Sequence, residues 1–144
     1  MKAGLHPLGF VKRDLLRLFG YRVRLHVWTH PDPQRHSHRW PFIGLPLRGR
    51  FADRRWIEVA GCSHVRLDCP EPGLYGVRPP LTNPQPCALN LHRLRIHRPL
   101  VPYLCRYGEI HSVAPYGPSP HVSLVFIGRK RTSISHVYRE AADA

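Results

Sequence analysis

The pattern of apolar and polar positions predicts strands along most of this 144-residue chain. Residues 21–28 alternate between apolar and polar side chains, which is typical of a strand with one buried face. Residues 121–127 form a mostly apolar run with the length of a buried strand. Residues 8–19 differ, because their apolar positions recur at helical spacing and Gly20 follows them. The apolar stripe of this predicted short helix consists of Phe10, Leu15, Leu18 and Phe19.

The rest of the chain extends the strand pattern. Further strands are predicted at residues 36–48, 51–59, 62–69, 92–97, 101–113 and 134–139. The 16 prolines and 11 glycines are spread along the chain, which fits many short strands joined by turns. Residues 70–90 are rich in proline and have little periodicity, so we expect a long loop or lid there. The sequence predicts one all-β domain over residues 1–144, with a jelly-roll barrel over about 21–139.

The candidate chemistry is a set of three histidines. His36 and His38 are two positions apart, so on a strand both imidazoles face the same side. Gly49 follows at the end of the predicted strand, and Gly108 precedes a third histidine, His111, far downstream. Imidazole binds Fe(II), Zn, Mn, Ni and Cu, so the ligand type does not choose the metal. The sequence predicts a metal site formed by these three side chains.

These motifs resemble those of the cupin superfamily. His36 and His38 match the His-x-His of its first motif with Gly49 as the closing glycine, and Gly108 and His111 match the Gly-x-x-His of its second. The string His36-Ser-His38-Arg-Trp40-Pro-Phe42 is similar to an H-x-H-x-W-x-F subfamily, over roughly residues 22–139. Phe42 stands at the position of the first motif's glutamate. Three more positions of the second motif differ, where Leu100, Arg106 and Pro115 replace its glycine, proline and asparagine, and His30 replaces the opening glycine of the first motif.

The resemblance implies a cupin-type barrel with a three-histidine site. Known three-histidine cupins use iron, so Fe(II) is the favoured cofactor, with Zn, Mn or Ni as alternatives. The resemblance therefore implies a metal-dependent enzyme, most simply one with oxygen-dependent chemistry. A Zn, Mn or Ni isomerase, lyase or hydrolase is a second interpretation, and a non-catalytic binding module is a third. Because cupins often dimerise through sheet edges, a homodimer is also expected.

Four residues are candidates for acid–base chemistry and for the pocket wall. Glu109 shares strand parity with His111, so it could serve as a general base, a fourth ligand or a rim carboxylate paired to an arginine. Tyr107 is a second candidate for proton transfer, and Tyr103 shares its parity as a candidate pocket residue. His26 lies on a predicted strand and is a further candidate for substrate contact.

The basic character of the chain predicts an anionic partner. The formal net charge is +13, with 22 Lys and Arg residues against nine Asp and Glu residues. The basic residues are scattered and no nucleic-acid motif is present, so a small anionic substrate is favoured over nucleic acid, with a solvated basic surface as the alternative. Arg129 and Arg131 follow a predicted buried strand and could bind a substrate carboxylate.

The remaining sequence features concern location. No apolar run reaches the roughly 18 residues needed for a membrane span, and the N-terminus lacks the pattern of a signal peptide. The four cysteines contain no Cys-x-x-Cys spacing, so a zinc ribbon is not expected. Together these features predict a cytoplasmic protein without membrane contact, in which the cysteines are reduced.

Overall fold

Antiparallel strands make up almost the whole described structure. The computed structural model describes residues 4–6, 10–28, 32–72, 79–117 and 120–143. Within these ranges it contains eleven strands, no α-helix and one short 3-10 helix at Ala141–Asp143. The strands are β1 Gly4–His6, β2 Phe10–Leu18, β3 Tyr21–Trp28, β4 Asp32–His36, β5 Phe42–Arg48, β6 Arg50–Pro70, β7 Thr82–His97, β8 Tyr103–Cys105, β9 Ile110–Tyr116, β10 His121–Ile127 and β11 Ile134–Glu140.

The strands form two antiparallel sheets. The first contains six strands in the order β1-β2-β3-β10-β5-β8, and the second contains five in the order β11-β4-β9-β6-β7, with an additional β11–β6 pairing. Alternation of burial along β5 and β10 shows that one face of the first sheet is turned to the core. Trp28 of the first sheet packs against Phe51 and Val113 of the second, with the Trp28 and Phe51 ring centroids 5.9 Å apart. The core therefore lies between the two sheets.

The all-β prediction is confirmed, but the predicted helix over residues 8–19 is wrong. Residues Phe10–Leu18 are strand β2, which pairs with β3 as far as Leu18 opposite Tyr21. Phe19 and Gly20 both have positive φ, at 50° and 84°, as a two-residue hairpin turn requires. Gly20 therefore belongs to a hairpin turn and does not end a helix. A register shift between Asp14 and Leu16 disturbs the two-residue period of the strand, which explains the helix-like spacing.

Four other predicted strands have different limits. The strand predicted over 36–48 is divided, because β4 ends at His36 and β5 begins at Phe42 in the other sheet. The segments 51–59 and 62–69 belong to one long strand, β6. The strand predicted over 101–113 is interrupted by a turn in which Gly108 has a φ of 76°.

The loop predicted over residues 70–90 is wrong for its second half. Residues from Thr82 onward form β7, which pairs with β6 along most of its length. Pro84 and Pro86 are tolerated there because β7 lies at the edge of its sheet, where a missing N–H costs little. Residues 73–78 of the predicted lid lie outside the described part of the chain. Within the described ranges, no helix is long and apolar enough to cross a membrane.

Candidate metal centre

Three histidines, which we call the histidine cluster, come together between the sheets: His36, His38 and His111. His36 is the last residue of β4 and lies directly opposite His111 of β9, so their side chains share one face of the second sheet. His38 lies in the short segment that leads from β4 to β5. The three side chains therefore lie together and form a group that could bind a metal ion, although the two residues of the His-x-His pair do not share one strand.

The rings of the histidine cluster are arranged as a compact triangle. Their centroids are 4.8 Å apart for His36 and His38, 4.9 Å for His36 and His111, and 5.0 Å for His38 and His111. One ring nitrogen from each lies within 4.8 Å of the other two. Three nitrogens bound to one ion at about 2.0–2.2 Å lie roughly 3.4 Å apart in tetrahedral geometry. The three side chains could therefore hold one metal ion if the more widely separated nitrogens moved closer together.

The backbone around His38 is held by its neighbours in the chain. The Ser37 N–H donates to the His136 carbonyl at 2.9 Å, and the His136 N–H donates to Ser37 Oγ at 3.0 Å. Arg39 is buried and donates to the carbonyls of Cys69, Pro70 and Ser133 at 2.6, 2.8 and 3.0 Å. These bonds attach both sides of His38 to β11 and to the end of β6. The position of His38 is therefore fixed by the protein itself.

The environment keeps two of the imidazoles neutral. Burial, together with the adjacent His111, lowers the pKa of His36 to about 3. Burial and the neighbouring His36 and His111 hold the pKa of His38 well below its usual value. His36 Nδ1 lies 2.9 Å from the Gln34 carbonyl, so it must be the nitrogen that carries the proton, and Nε2 retains a lone pair. A neutral imidazole with a free lone pair is the form that binds a metal.

Aromatic side chains cover the histidine cluster. Phe42 is buried and its ring contacts His38 and His111 at centroid distances of 4.9 and 5.8 Å. Tyr103 packs against Phe42 at 6.2 Å, and burial raises the pKa of its hydroxyl. Phe42 therefore covers one side of the histidine cluster. His26 lies on β3, where its ring meets that of Trp28 edge to face at a centroid distance of 6.2 Å, and burial lowers its pKa to about 3.

A second buried polar group, which we call the charged network, lies next to the histidine cluster and consists of Asp53, Arg55, His97 and Glu109. Asp53 is 1% exposed and accepts hydrogen bonds from Arg55 Nε at 2.9 Å and from His97 Nε2 at 2.9 Å. Arg55 also forms an ion pair with Glu109 and donates to the Leu104 carbonyl at 3.2 Å. Burial alone would raise the pKa of Asp53, but these partners and His111 hold it far below its usual value.

Glu109 belongs to the charged network and not to the histidine cluster. Its carboxylate is paired with Arg55 and accepts the Arg106 N–H at 2.8 Å. Among the described residues, the group with metal-binding dimensions contains three histidines and no carboxylate. The structure thus places Glu109 with an arginine partner, one of the three roles considered from sequence.

The other candidate residues lie further from the cluster. Tyr107 is 50% exposed and follows the short strand β8. Arg129 and Arg131 are exposed; the Arg129 guanidinium lies over the Tyr21 ring, 5.4 Å from its centroid. The Arg131 N–H donates to the Arg39 carbonyl at 2.8 Å, so the basic turn is attached through its backbone to the segment that carries His38.

Sequence reasoning did not find Asp53, Arg55 or His97. Phe51, Ala52 and Asp53 are consecutive buried residues, so the two-residue period that assigns faces is absent at this point of β6. One signal was available, because the chain has only nine acidic residues and Asp53 lies in a strand with Arg55 two positions later. An acid and a base of matching parity on a strand face the same side and can form an ion pair.

Comparisons with known proteins identify the fold. No protein-family model matches the chain, and no curated protein matches it. The structure is similar to peruvianin-I, a cysteine peptidase from Thevetia peruviana latex, with a TM-score of 0.55, 9% identity, and coverage of 94% of this chain and 71% of that one. It is also similar to oxalate oxidase, with a TM-score of 0.51, 14% identity, and coverage of 92% and 58%.

A second structure of oxalate oxidase, recombinant and in complex with glycolate, gives the same TM-score and identity with coverage of 93% and 58%. Oxalate oxidase is a cupin, so these likenesses support a cupin-type fold for this chain. This chain spans a little over half of the oxalate oxidase chain.

Proposed function

We propose that this protein is a metal-dependent cupin enzyme that uses non-haem iron for oxygen-dependent chemistry on a small anionic molecule. The observation that carries the proposal is the convergence of three imidazoles, with one ring nitrogen of each within 4.8 Å of the others. Burial keeps the pKa of His36 and of His38 low, so both rings are neutral ligands near pH 7. Such a donor set fits a divalent transition metal.

The charge of the site favours an anion. Three neutral ligands leave the full positive charge of a divalent ion in place, because no carboxylate belongs to the cluster of described residues. A bound iron(II) supplies redox chemistry with dioxygen or polarises a substrate oxygen. The chain adds a net charge of +13, which attracts anions over longer distances. We therefore propose a carboxylate-bearing or phosphate-bearing substrate.

The surrounding residues have separate roles in this proposal. Phe42 and Tyr103 exclude water from one side of the histidine cluster. Glu109, which is paired with Arg55, is the proposed residue for holding a proton, and the exposed Tyr107 is the alternative. His26, Arg129 and Arg131 are proposed to contact the substrate. The similarity to oxalate oxidase, one structure of which holds glycolate, agrees with a small carboxylate as substrate.

Two alternatives have their own support. Imidazole ligands suit Zn, Mn and Ni as well as iron, so an isomerase, lyase or hydrolase without oxygen chemistry uses the same three side chains. The packing of Phe42 against His38 and His111 favours a non-catalytic binding protein, because it occupies space that a substrate would need.

Metal analysis and oxygen consumption separate these functions. The protein is purified once in air and once without oxygen, and its Fe, Zn, Mn, Ni and Cu contents are measured. Oxygen uptake by the Fe(II)-loaded protein is then followed with a panel of small carboxylates and phosphate esters. We expect about one iron per chain after anaerobic purification and substrate-dependent oxygen uptake. Stoichiometric Zn, Mn or Ni without oxygen uptake supports the second function, and a metal content at background contradicts both enzyme functions.

A further inference from the structure

The carboxylate of Asp53 connects the charged network to the histidine cluster. Asp53 Oδ2 is the more heavily bonded oxygen, with Arg55 Nη2 at 2.8 Å and His97 Nε2 at 2.9 Å. Asp53 Oδ1 accepts from Arg55 Nε at 3.1 Å and faces His111 Nδ1 at 3.4 Å. The distance to His111 is longer than an ordinary hydrogen bond, but both groups are almost completely buried.

The two nitrogens of the His111 ring face different surroundings. Nε2 lies 2.8 Å from His38 Nε2, inside the histidine cluster. Nδ1 points the other way, toward Asp53. Arg55 lies directly opposite His111 on the adjacent strand, so these side chains share one face of the sheet. Asp53 is two residues from Arg55 on the same strand and projects from that face as well.

We propose that Asp53 is a positioning residue that holds the proton of His111 on Nδ1, so that the lone pair on Nε2 points at the metal site. This inference rests on the proposed metal-binding function. The nitrogen that carries the proton in a neutral imidazole is set by the acceptor that the ring finds. His36 obtains the same arrangement from a backbone carbonyl, that of Gln34. Two of the three ligands are thus prepared to bind through Nε2 before a metal arrives.

The charged network explains why this carboxylate stays in place. Without partners, a buried carboxylate would be strongly disfavoured. Arg55 binds both oxygens of Asp53, and His97 binds Oδ2 from the other side. The His97 ring is itself stacked on Tyr103, with centroids 3.9 Å apart and an interplanar angle of 10°. The carboxylate therefore cannot rotate away from His111 without losing bonds to Arg55 and His97. Carboxylates that orient metal-binding histidines typically change metal affinity 10–100-fold when removed.

The tautomer of His111 can be measured directly. Protein labelled with 15N in histidine gives long-range 1H–15N correlations whose pattern identifies the protonated nitrogen of each neutral ring. The His111 signals are assigned by their loss in His111→Gln. We expect the Nδ1–H pattern in the wild type before any metal is added. In Asp53→Asn we expect loss or mixing of that pattern, and in Asp53→Glu its partial recovery. A wild-type His111 with the proton on Nε2 overturns the proposal, whatever the protein binds.

Metal affinity gives the second measurement, with Co2+ as the probe. We expect Asp53→Asn to bind Co2+ roughly 10–100-fold more weakly than the wild type. The control is His97→Gln, which removes another partner of Asp53 and leaves the contact with His111, so its affinity should change much less. If Co2+ affinity and thermal stability fall equally in both variants, Asp53 acts only on the fold.

The two measurements also separate this inference from the proposed function. If the wild type binds no Co2+, the metal-dependent function fails, and the tautomer pattern still decides the role of Asp53. If Asp53→Asn does not fold, the double variant Asp53→Asn/Arg55→Gln replaces it. This variant removes the charge of Arg55, the main partner of Asp53, as well. The tautomer is then read in that variant, where a retained Nδ1–H pattern contradicts the proposal.

Discussion

The histidine cluster and the charged network are neighbours on the second sheet, but their polar groups are satisfied in different ways. In the charged network, each acid has a base within hydrogen-bonding distance, and Asp53 alone has two such partners. In the histidine cluster, three like groups point nitrogens at each other, and the one short contact among them is that of His38 Nε2 with His111 Nε2. Acidic and basic side chains satisfy each other's hydrogen-bonding groups inside the protein. Three imidazoles cannot do so among themselves and need a further partner, such as a metal ion.

This contrast predicts which region depends on a ligand. Breaking the charged network removes interactions that the fold already contains, so its cost should be a loss of stability. Breaking the histidine cluster removes nitrogens from a site whose partner comes from outside, so its cost should be a loss of metal. Substitution of Arg55 or Glu109 should therefore lower stability and keep the metal, whereas substitution of a clustered histidine should lose the metal. Asp53 is the exception, because its carboxylate also faces His111.

The largest effect is expected for His111→Ala in the histidine cluster. Removing one of three ligands should reduce metal content to background and weaken Co2+ binding by more than about 100-fold, beyond the effect of typical supporting residues. Metal analysis and titration calorimetry provide the measurements. His92→Ala is the matched control, because His92 is an exposed histidine on β7. Metal content that stays near wild type in His111→Ala would contradict the assignment of the site.

The second largest effect is expected for Arg55→Met in the charged network. The substitution leaves the buried Asp53 carboxylate without its main partner, which typically costs about 3–5 kcal/mol in the free energy of unfolding. Urea unfolding measures this loss. Arg93→Met is the control, since Arg93 lies opposite Arg55 on β7 but is exposed, and its change should stay within about 0.5 kcal/mol.

A double variant tests whether charge is the cause. Arg55→Met/Asp53→Asn removes both charges of the pair, so it should be less destabilised than Arg55→Met alone. If the double variant is as unstable as the sum of the single variants, the network is not held by its charges.

The sequence predicted the all-β fold class and the pairing of His36 with His38 because both depend on local patterns. The alternation over residues 21–28 gave strand β3 with its correct bounds, and the short spacing of His36 and His38 gave two of the three clustered side chains. Their meeting with His111 followed from the cupin-like motifs. The predicted helix failed because a register shift in β2 imitated helical spacing. Local spacing does not distinguish these two arrangements without the partner strand.

The charged network could not be predicted in the same way. Asp53 and His97 are 44 positions apart, and their contact depends on how β6 and β7 are aligned. That alignment includes register shifts, one of them between Arg55 and Trp56, which no sequence pattern marked. The burial of three consecutive residues, Phe51 to Asp53, also concealed which face was inside. The network is a product of long-range register, so it appears only with the structure.

The third prediction separates the two regions by pH. The pKa of His36 is lowered from 6.5 to about 3 in the folded protein. Between these pH values the imidazole is protonated in the unfolded chain and neutral in the folded chain. Stability is therefore present above about pH 6.5 and is lost as the pH falls toward 3. The Asp53 carboxylate, whose pKa is lowered, keeps its contribution until the pH falls below about 4.

Urea unfolding at pH 7, 5.5 and 4.5 in the presence of a chelator tests this difference. We expect His36 alone to contribute a loss of roughly 1–2 kcal/mol to the wild type between pH 7 and pH 5.5, with a further loss from His38. His36→Gln should lose less over the same interval, whereas His92→Gln should follow the wild type. His26, with a pKa also lowered to about 3, contributes to the same loss and should remain active in His36→Gln. Parallel pH curves for the wild type and His36→Gln would contradict the assignment.

A smaller effect is expected for Glu109→Gln, at the border between the two regions. Because Glu109 pairs with Arg55 and lies outside the histidine cluster, the variant should keep its metal content. Its side chain is 35% exposed, so the stability loss should be below about 1 kcal/mol. Turnover then assigns its chemistry: a lower kcat with full metal content identifies a base, and unchanged kcat identifies a rim carboxylate. Loss of metal would show that Glu109 is a ligand and would contradict the separation of the two regions.

The smallest effect is expected at the basic turn, outside both regions. Arg129 and Arg131 are exposed, and the bond from the Arg131 N–H to Arg39 uses the backbone, so Arg129→Ala/Arg131→Ala should preserve the fold and the metal. If the turn attracts an anionic substrate, the variant should raise KM or Kd a few-fold with an unchanged kcat, and added salt should reduce the difference. Arg93→Ala/Arg95→Ala removes equal charge from exposed positions on β7 and is the control. Equal changes in both variants would mean that net charge matters and the turn does not, while no change in either would identify the turn as a solvated surface.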